Sequence, residues 1–116
     1  MLHNELHVWK QSMALVTKVY RMTKLFPEDE KFSLVSQINR AVVSIPANIA
    51  EGAGRSSTKE YLRFLDIATG SASELETLLL LAEQLNYATT SSIITEDLIP
   101  IKKMLYKQKQ SIKKHI

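Results

Sequence analysis

Leu34-Val-Ser-Gln-Ile-Asn-Arg-Ala-Val-Val-Ser-Ile-Pro-Ala-Asn-Ile-Ala-Glu-Gly-Ala-Gly54 is the stretch that decides the fold. Its apolar residues Leu34, Val35, Ile38, Val42, Ile45 and Ile49 recur three or four apart, the spacing of one face of an α-helix. Glu28, Asp29 and Glu30 precede it and suit the positive end of a helix dipole. Gly52 and Gly54 offer a C-cap. These signals define helix two, between the breaks at Phe26-Pro27 and Gly52-Ala-Gly54. Pro46 falls inside the pattern, where the lost backbone hydrogen bond costs about 3 kcal/mol, so a kink is expected there.

Similar patterns lie on either side. Towards the N-terminus, Leu6, Trp9, Met13, Val16 and Tyr20 recur at helical spacing and predict the core face of helix one. Pro27 ends it, because proline disfavours helical geometry in the residue before it. Towards the C-terminus, Ser57 with Glu60 reads as a capping box opening helix three, which runs from Thr58 to about Leu85. Helix four is expected from about Thr95 to the C-terminus, with Thr95 or Ser91–Ser92 as its N-cap. Short connections make sequential helices antiparallel. The expectation is therefore one all-α domain over residues 1–116, an up-down-up-down four-helix bundle.

Two runs in helix three bear on packing. Ala68-Thr-Gly-Ser-Ala-Ser73 has only small side chains and predicts a tight crossing with helix two near Pro46. Leu78-Leu-Leu-Leu81 wraps about 300° of the helix. With Leu75 and Leu85 inward, Leu80 points away from the core and predicts self-association.

Composition narrows the function classes. The 116 residues are 45% hydrophobic and 23% charged, an ordinary soluble balance. Three Gly and three Pro cannot supply the turns of a sandwich or barrel. Cysteine is absent, which removes disulfides, thiolate metal sites and cysteine nucleophiles. The longest apolar run, Leu78 to Ala82, is far short of a membrane span, and no basic-then-apolar leader opens the sequence; a cytoplasmic location is expected.

Motifs that resemble catalytic or metal chemistry do not hold up. His3 and His7 stand four apart, but Glu5 is misplaced for His-Glu-x-x-His. No histidine has a Glu three residues before it, as a di-iron bundle requires. Gly52-Ala-Gly-Arg-Ser-Ser lacks the Gly-Lys-Ser/Thr of a phosphate loop. The expectation is no catalytic residue, no metal and no cofactor.

The polar side of helix two is more informative. Arg40, Ser44, Asn48, Glu51 and Arg55 fall within about 80° of arc. Two readings stay open: a solvated face with Glu51 paired to Arg55, or a polar network at a helix or subunit contact.

Gln37-Ile-Asn-Arg40 followed by Ser44-Ile-Pro-Ala-Asn-Ile-Ala-Glu-Gly52 resembles the signature of the 23S rRNA-intervening-sequence protein family, once named after ribosomal protein S23. Trp9 through Tyr20, Phe26-Pro27 with Glu30 and Phe32, and Ala68-Thr-Gly-Ser71 with Glu74 and Glu76 also fit, so the resemblance covers residues 9–85. It implies a four-helix bundle assembling into a closed homopentameric ring, without enzymatic activity. The sequence is also similar to accessory proteins of diversity-generating retroelements, basic pentamers that are thought to bind nucleic acid and a reverse transcriptase, a nucleic-acid-processing partner.

The charge pattern agrees with a polyanion partner. Net charge is only +3, but residues 6–26 hold Lys10, Lys18, Arg21 and Lys24 with no acid, and residues 98–116 hold Lys102, Lys103, Lys107, Lys109, Lys113 and Lys114 with none. The rest carries twelve acids against five bases. Helices one and four neighbour each other in the expected bundle, so their basic rows share a surface suited to phosphates. The leading expectation is a non-catalytic oligomer binding RNA or DNA non-specifically through these ten residues. The alternative is a structural or protein-interaction ring in which basic segments meet acidic segments of the next subunit. A membrane-surface role is disfavoured, because helix four spends its apolar residues on the core.

Overall fold

The computed structural model describes residues 6–114, and all regular structure among them is helical. Helix one is His7–Thr23, helix two Leu34–Ala53 and helix three Thr58–Gln84. A 3-10 turn, Glu28–Glu30, links the first two. The fourth helical segment opens with an α-turn at Ser91–Ile93, passes through a π-turn at Ile94–Leu98 and continues as helix four, Ile99–Lys113. Each long helix packs on the one before it, and helix four returns against helix one. The result is a four-helix bundle measuring 46 × 24 × 20 Å. His3 and Glu5 lie outside the described residues.

The fourth segment begins earlier than Thr95. Thr90 precedes it; its N–H donates to Glu83 Oε1 at 2.7 Å and its hydroxyl to the Leu79 carbonyl at 2.9 Å, which buries the turn against helix three. The π-turn comes directly before Pro100. A proline has no N–H and crowds the carbonyl four residues back, and a local π-turn relieves both constraints.

Helix two delivers the stripe its spacing predicts: Leu34, Ile38, Val42, Ile45 and Ile49 are buried, with Val35 half-buried at the edge. Helix one differs. Leu6 is buried as expected, but Met13 is 44% and Tyr20 41% exposed, and Trp9 and Val16 lie only part-way in. Its core face is Val8, Ser12, Leu15, Val19 and Thr23. Two hydroxyl residues disguise that stripe, yet both are satisfied once buried. Ser12 Oγ donates to the Trp9 carbonyl at 2.9 Å, while Thr23 Oγ1 lies 3.1 Å from Asn39 Oδ1 on helix two. A hydrogen-bonded small hydroxyl loses little on burial.

Helix three starts with Ser57 Oγ accepting from the Glu60 N–H at 3.1 Å, half of the expected capping box. It ends in a Schellman turn, in which Asn86 adopts φ 62° and Tyr87 N–H reaches back to the Ala82 carbonyl at 3.0 Å. Leu85 is the C-cap residue of this end and is exposed, not inward. Leu78 and Leu79 are buried while both Leu80 and Leu81 are exposed, so two of the four leucines leave the core.

The crossing of helices two and three is close, but Gly70 does not cause it. A Cβ on Gly52 would stand 2.9 Å from Phe64 Cβ and 3.0 Å from Tyr61 Cδ1, whereas one on Gly70 would meet nothing within 4 Å. Ala68, Ser71 and Ala72 supply the buried small side chains of the run. Helix two stays helical through the buried Pro46.

Candidate functional site

The ten basic residues of helix one and the fourth segment do not form a uniform face. Three are held by acids of the same chain. Lys18 Nζ donates to both oxygens of Asp97, at 3.0 and 3.1 Å. Lys102 pairs with Glu76 at 2.9 Å and Lys109 with Asp66 at 3.1 Å. Lys102 and Lys109, expected among the residues that meet phosphates, are half-buried along helix three and already paired. Helical spacing explains the division: these two share a flank turned towards helix three, while Lys103, Lys107 and Lys114 lie within about 40° of one another on the outer flank.

Seven cations remain exposed with no acid in ion-pair range among the described residues: Lys10, Arg21, Lys24, Lys103, Lys107, Lys113 and Lys114. They are densest where helix one begins and helix four ends. There Leu6, Val8, Met104, Lys107 and Ser111 line one cleft between the two helices. Lys24 stands apart, at the far end of helix one beside Phe26 and Lys31. The cluster near Lys107 is able to attract a polyanion, and its rigid helical mounting fixes the charge spacing.

The polar side of helix two resolves into both expected readings. Glu51 and Arg55 pair at the surface at 2.9 Å, and the Arg55 guanidinium lies 4.9 Å over the Phe64 ring. Ser44 and Asn48 instead turn into the crossing with helix three. Asn48 Nδ2 donates to the Ser44 carbonyl at 2.8 Å and to Ser44 Oγ at 2.9 Å, and the Ser44 and Ser71 hydroxyls share a hydrogen bond at 2.7 Å. Arg40 is exposed at the mouth of this crossing, in an open cleft of about 500 Å³ shared with Gln37, Ser44, Ser71 and Glu74. Ser71 was not among the expected site residues; its place in the small-residue run and in the Ala68-Thr-Gly-Ser71 stretch of the family resemblance pointed to it.

The sequence leaves Tyr106 as the one aromatic of helix four exposed to stack, too little for sequence-specific single-strand recognition; the groove it lies in was not read from the sequence. The outer side of helix four faces an open groove of about 560 Å³ lined by Glu76, Ile99, Lys102, Lys103, Tyr106 and Lys107. Tyr106 is 61% exposed within it. Among the described residues, no helix is long and apolar enough to cross a membrane.

The fold places the chain among small all-helical four-helix-bundle proteins. The 23S rRNA-intervening sequence protein family model matches residues 4–107, and the chain belongs to that family. A crystal structure from Bacteroides thetaiotaomicron VPI-5482, described as a protein with unknown function from the S23 ribosomal protein family, is 28% identical. It superposes with a TM-score of 0.81, over 95% of this chain and 99% of the other. No curated protein matches the chain. The motif in helix two thus pointed to the right family.

Proposed function

We propose that the protein is a non-catalytic, self-associating cytoplasmic bundle that binds nucleic acid without sequence preference through the outer faces of helices one and four. The observation that carries this reading is the set of seven exposed cations left after Lys18, Lys102 and Lys109 are neutralised within the chain. Phosphate contacts from such side chains supply affinity without reading bases. The rival, in which basic segments meet acidic segments of the next subunit, is weakened by the same ion pairs. Asp66, Glu76 and Asp97 already serve their own subunit.

Self-association into a ring, of which a homopentamer is the form the family resemblance implies, is supported by exposed apolar side chains. Met13 and Tyr20 on helix one, Val43 on helix two, and Ile67, Leu80 and Leu81 on helix three all reach the surface. Leu80 and Leu81 are adjacent, and contiguous exposed apolar surface marks interaction sites.

The test is binding of mixed-sequence duplex DNA and RNA across a salt series, with mass measured by light scattering. The expected result is affinity that falls with salt at a slope near −0.9 for each duplex phosphate neutralised. A mass several times 13.2 kDa is expected alongside. No binding at low salt removes the nucleic-acid reading, and a monomer at micromolar concentration removes the ring.

A further inference from the structure

We propose that Tyr106 is a stacking platform for a base of single-stranded nucleic acid, with Lys103 and Lys107 meeting the phosphates on either side. This rests on the nucleic-acid reading above and adds a preference for unpaired strands. Three observations support it.

The first is chemical. Tyr106 is 61% exposed on a helix whose other large apolar residues are buried (Ile101, Leu105 and Ile112) or half-buried (Ile99 and Met104). Its phenol ring lines the groove together with Ile99, so an apolar floor is available to a flat ligand. Every nucleobase has a π-face, and stacking on an exposed aromatic needs no hydrogen-bond readout.

The second is electrostatic. Lys103 and Lys107 line the same groove, and both are exposed without an acidic partner among the described residues. They stand four residues apart on one side of the helix, about 5–6 Å between Cβ atoms, with Tyr106 between them in sequence. The groove's acid, Glu76, is occupied by Lys102 at 2.9 Å and closes one edge as a neutral pair. What remains open carries positive charge beside one aromatic ring.

The third concerns the occupant. A docked amphipathic helix needs a row of apolar anchors along the groove. This lining offers Ile99 and Tyr106 among charged side chains and no such row. A duplex would meet the lysines but keep its bases stacked inside, away from the ring. Charge complementarity and the single aromatic together favour an unpaired strand.

The experiment measures fluorescence polarisation of a labelled mixed-sequence 12-mer, as a single strand and as its duplex, with wild type, Tyr106→Ala and Tyr106→Phe. Tyr106→Ala should weaken single-strand binding by roughly 5- to 100-fold, the range that base–aromatic stacking commands, and leave duplex binding within about twofold. Tyr106→Phe should retain the wild-type preference. An abasic strand of the same length should bind wild type and Tyr106→Ala alike. Since Tyr106 is on the surface, unchanged melting of both variants is the accompanying check.

Equal losses for single strand and duplex, or no loss for either, overturn the platform while leaving the basic surface in place. Failure of wild type to bind any oligonucleotide overturns both. If a labelled acidic amphipathic peptide binds wild type and is lost in Tyr106→Ala, with single-strand binding unaffected, the groove belongs to a protein partner and the proposal falls.

Discussion

The Tyr87 hydroxyl donates to Glu30 Oε2 at 2.7 Å across 57 residues of sequence, fastening the loop after helix three to the turn before helix two. The same carboxylate accepts from the Ser33 hydroxyl and, at 3.4 Å, from the Leu34 N–H that opens helix two. Phe26 packs against the Tyr87 ring at 5.5 Å between centroids. One end of the bundle is thus tied by a single charged acceptor. Ser33 and Tyr87, through their hydrogen bonds to the ionised form, hold the Glu30 carboxyl below its ordinary range. The Glu30 bond, followed by burial, pushes the Tyr87 phenol up.

These two shifts predict a stability window. A carboxyl lowered in the folded state stabilises above its unfolded pKa, and that contribution is lost as pH falls through the folded value. A phenol raised in the folded state stabilises below its unfolded pKa near 10 and loses this as pH rises through the folded value. Tyr87→Phe should therefore melt below wild type at neutral pH. The gap should close in acid below the usual carboxylate range, and again in base beyond pH 10. Thermal melts of both proteins from acid to strong base would check it; a gap constant across that range would deny the link.

The two glycines of helices two and three predict opposite outcomes. Gly52→Ala places a methyl 2.9 Å from Phe64 Cβ and 3.2 Å from the Tyr61 carbonyl. Neither can swing away like the end of a long side chain, so a loss of about 1–3 kcal/mol is expected from overpacking. Gly70→Ala meets nothing within 4 Å and should gain roughly 0.5–1 kcal/mol from helix propensity. Urea titrations of both variants would decide this. A destabilised Gly70→Ala with lower mass would place Gly70 against a second subunit.

Helix two offers a third pair. Asn48→Ala removes two hydrogen bonds at the crossing and leaves the half-buried Ser44 short of a donor, which should cost about 1–3 kcal/mol. Glu51→Ala breaks only the exposed pair with Arg55 and should cost under about 1 kcal/mol. Equal melting losses for the two would contradict the division of this stripe into a buried half and a solvated half.

The sequence made the helices legible and left some of their faces hidden. Helix two reads plainly because its core stripe is purely aliphatic. Helix one misleads, because Trp9, Met13, Val16 and Tyr20 outweigh Val8, Ser12 and Thr23 in hydrophobicity yet sit on the flank. What decides is whether Ser12 and Thr23 find acceptors, and Asn39 on another helix is one of them. Of the two starts offered for the fourth segment, Ser91–Ser92 is within two residues and Thr95 is late; Glu83 and Leu79 on helix three hold Thr90 at the start, beyond the reach of local pattern. Charge segregation was legible as a sum. Which lysines are spent on Asp66, Glu76 and Asp97 depends on helix rotation within the bundle.

That distinction gives the basic surface its sharpest test. Lys103, Lys107 and Lys114 are exposed without acidic partners among the described residues, so reversing all three to Glu breaks no ion pair there and should leave the melt little changed, surface changes being worth about 0.5 kcal/mol or less each. Lys18, Lys102 and Lys109 face Asp97, Glu76 and Asp66, so reversing them sets acid against acid and should lower the melting temperature. If the outer flank holds nucleic acid, the first triple variant should lose binding while keeping its fold and mass. The second should lose stability, with a partial loss of affinity through net charge alone. A first variant that dissociates before it loses nucleic acid would assign Lys103, Lys107 and Lys114 to a subunit contact. A first variant that binds as wild type does would remove that flank from the site.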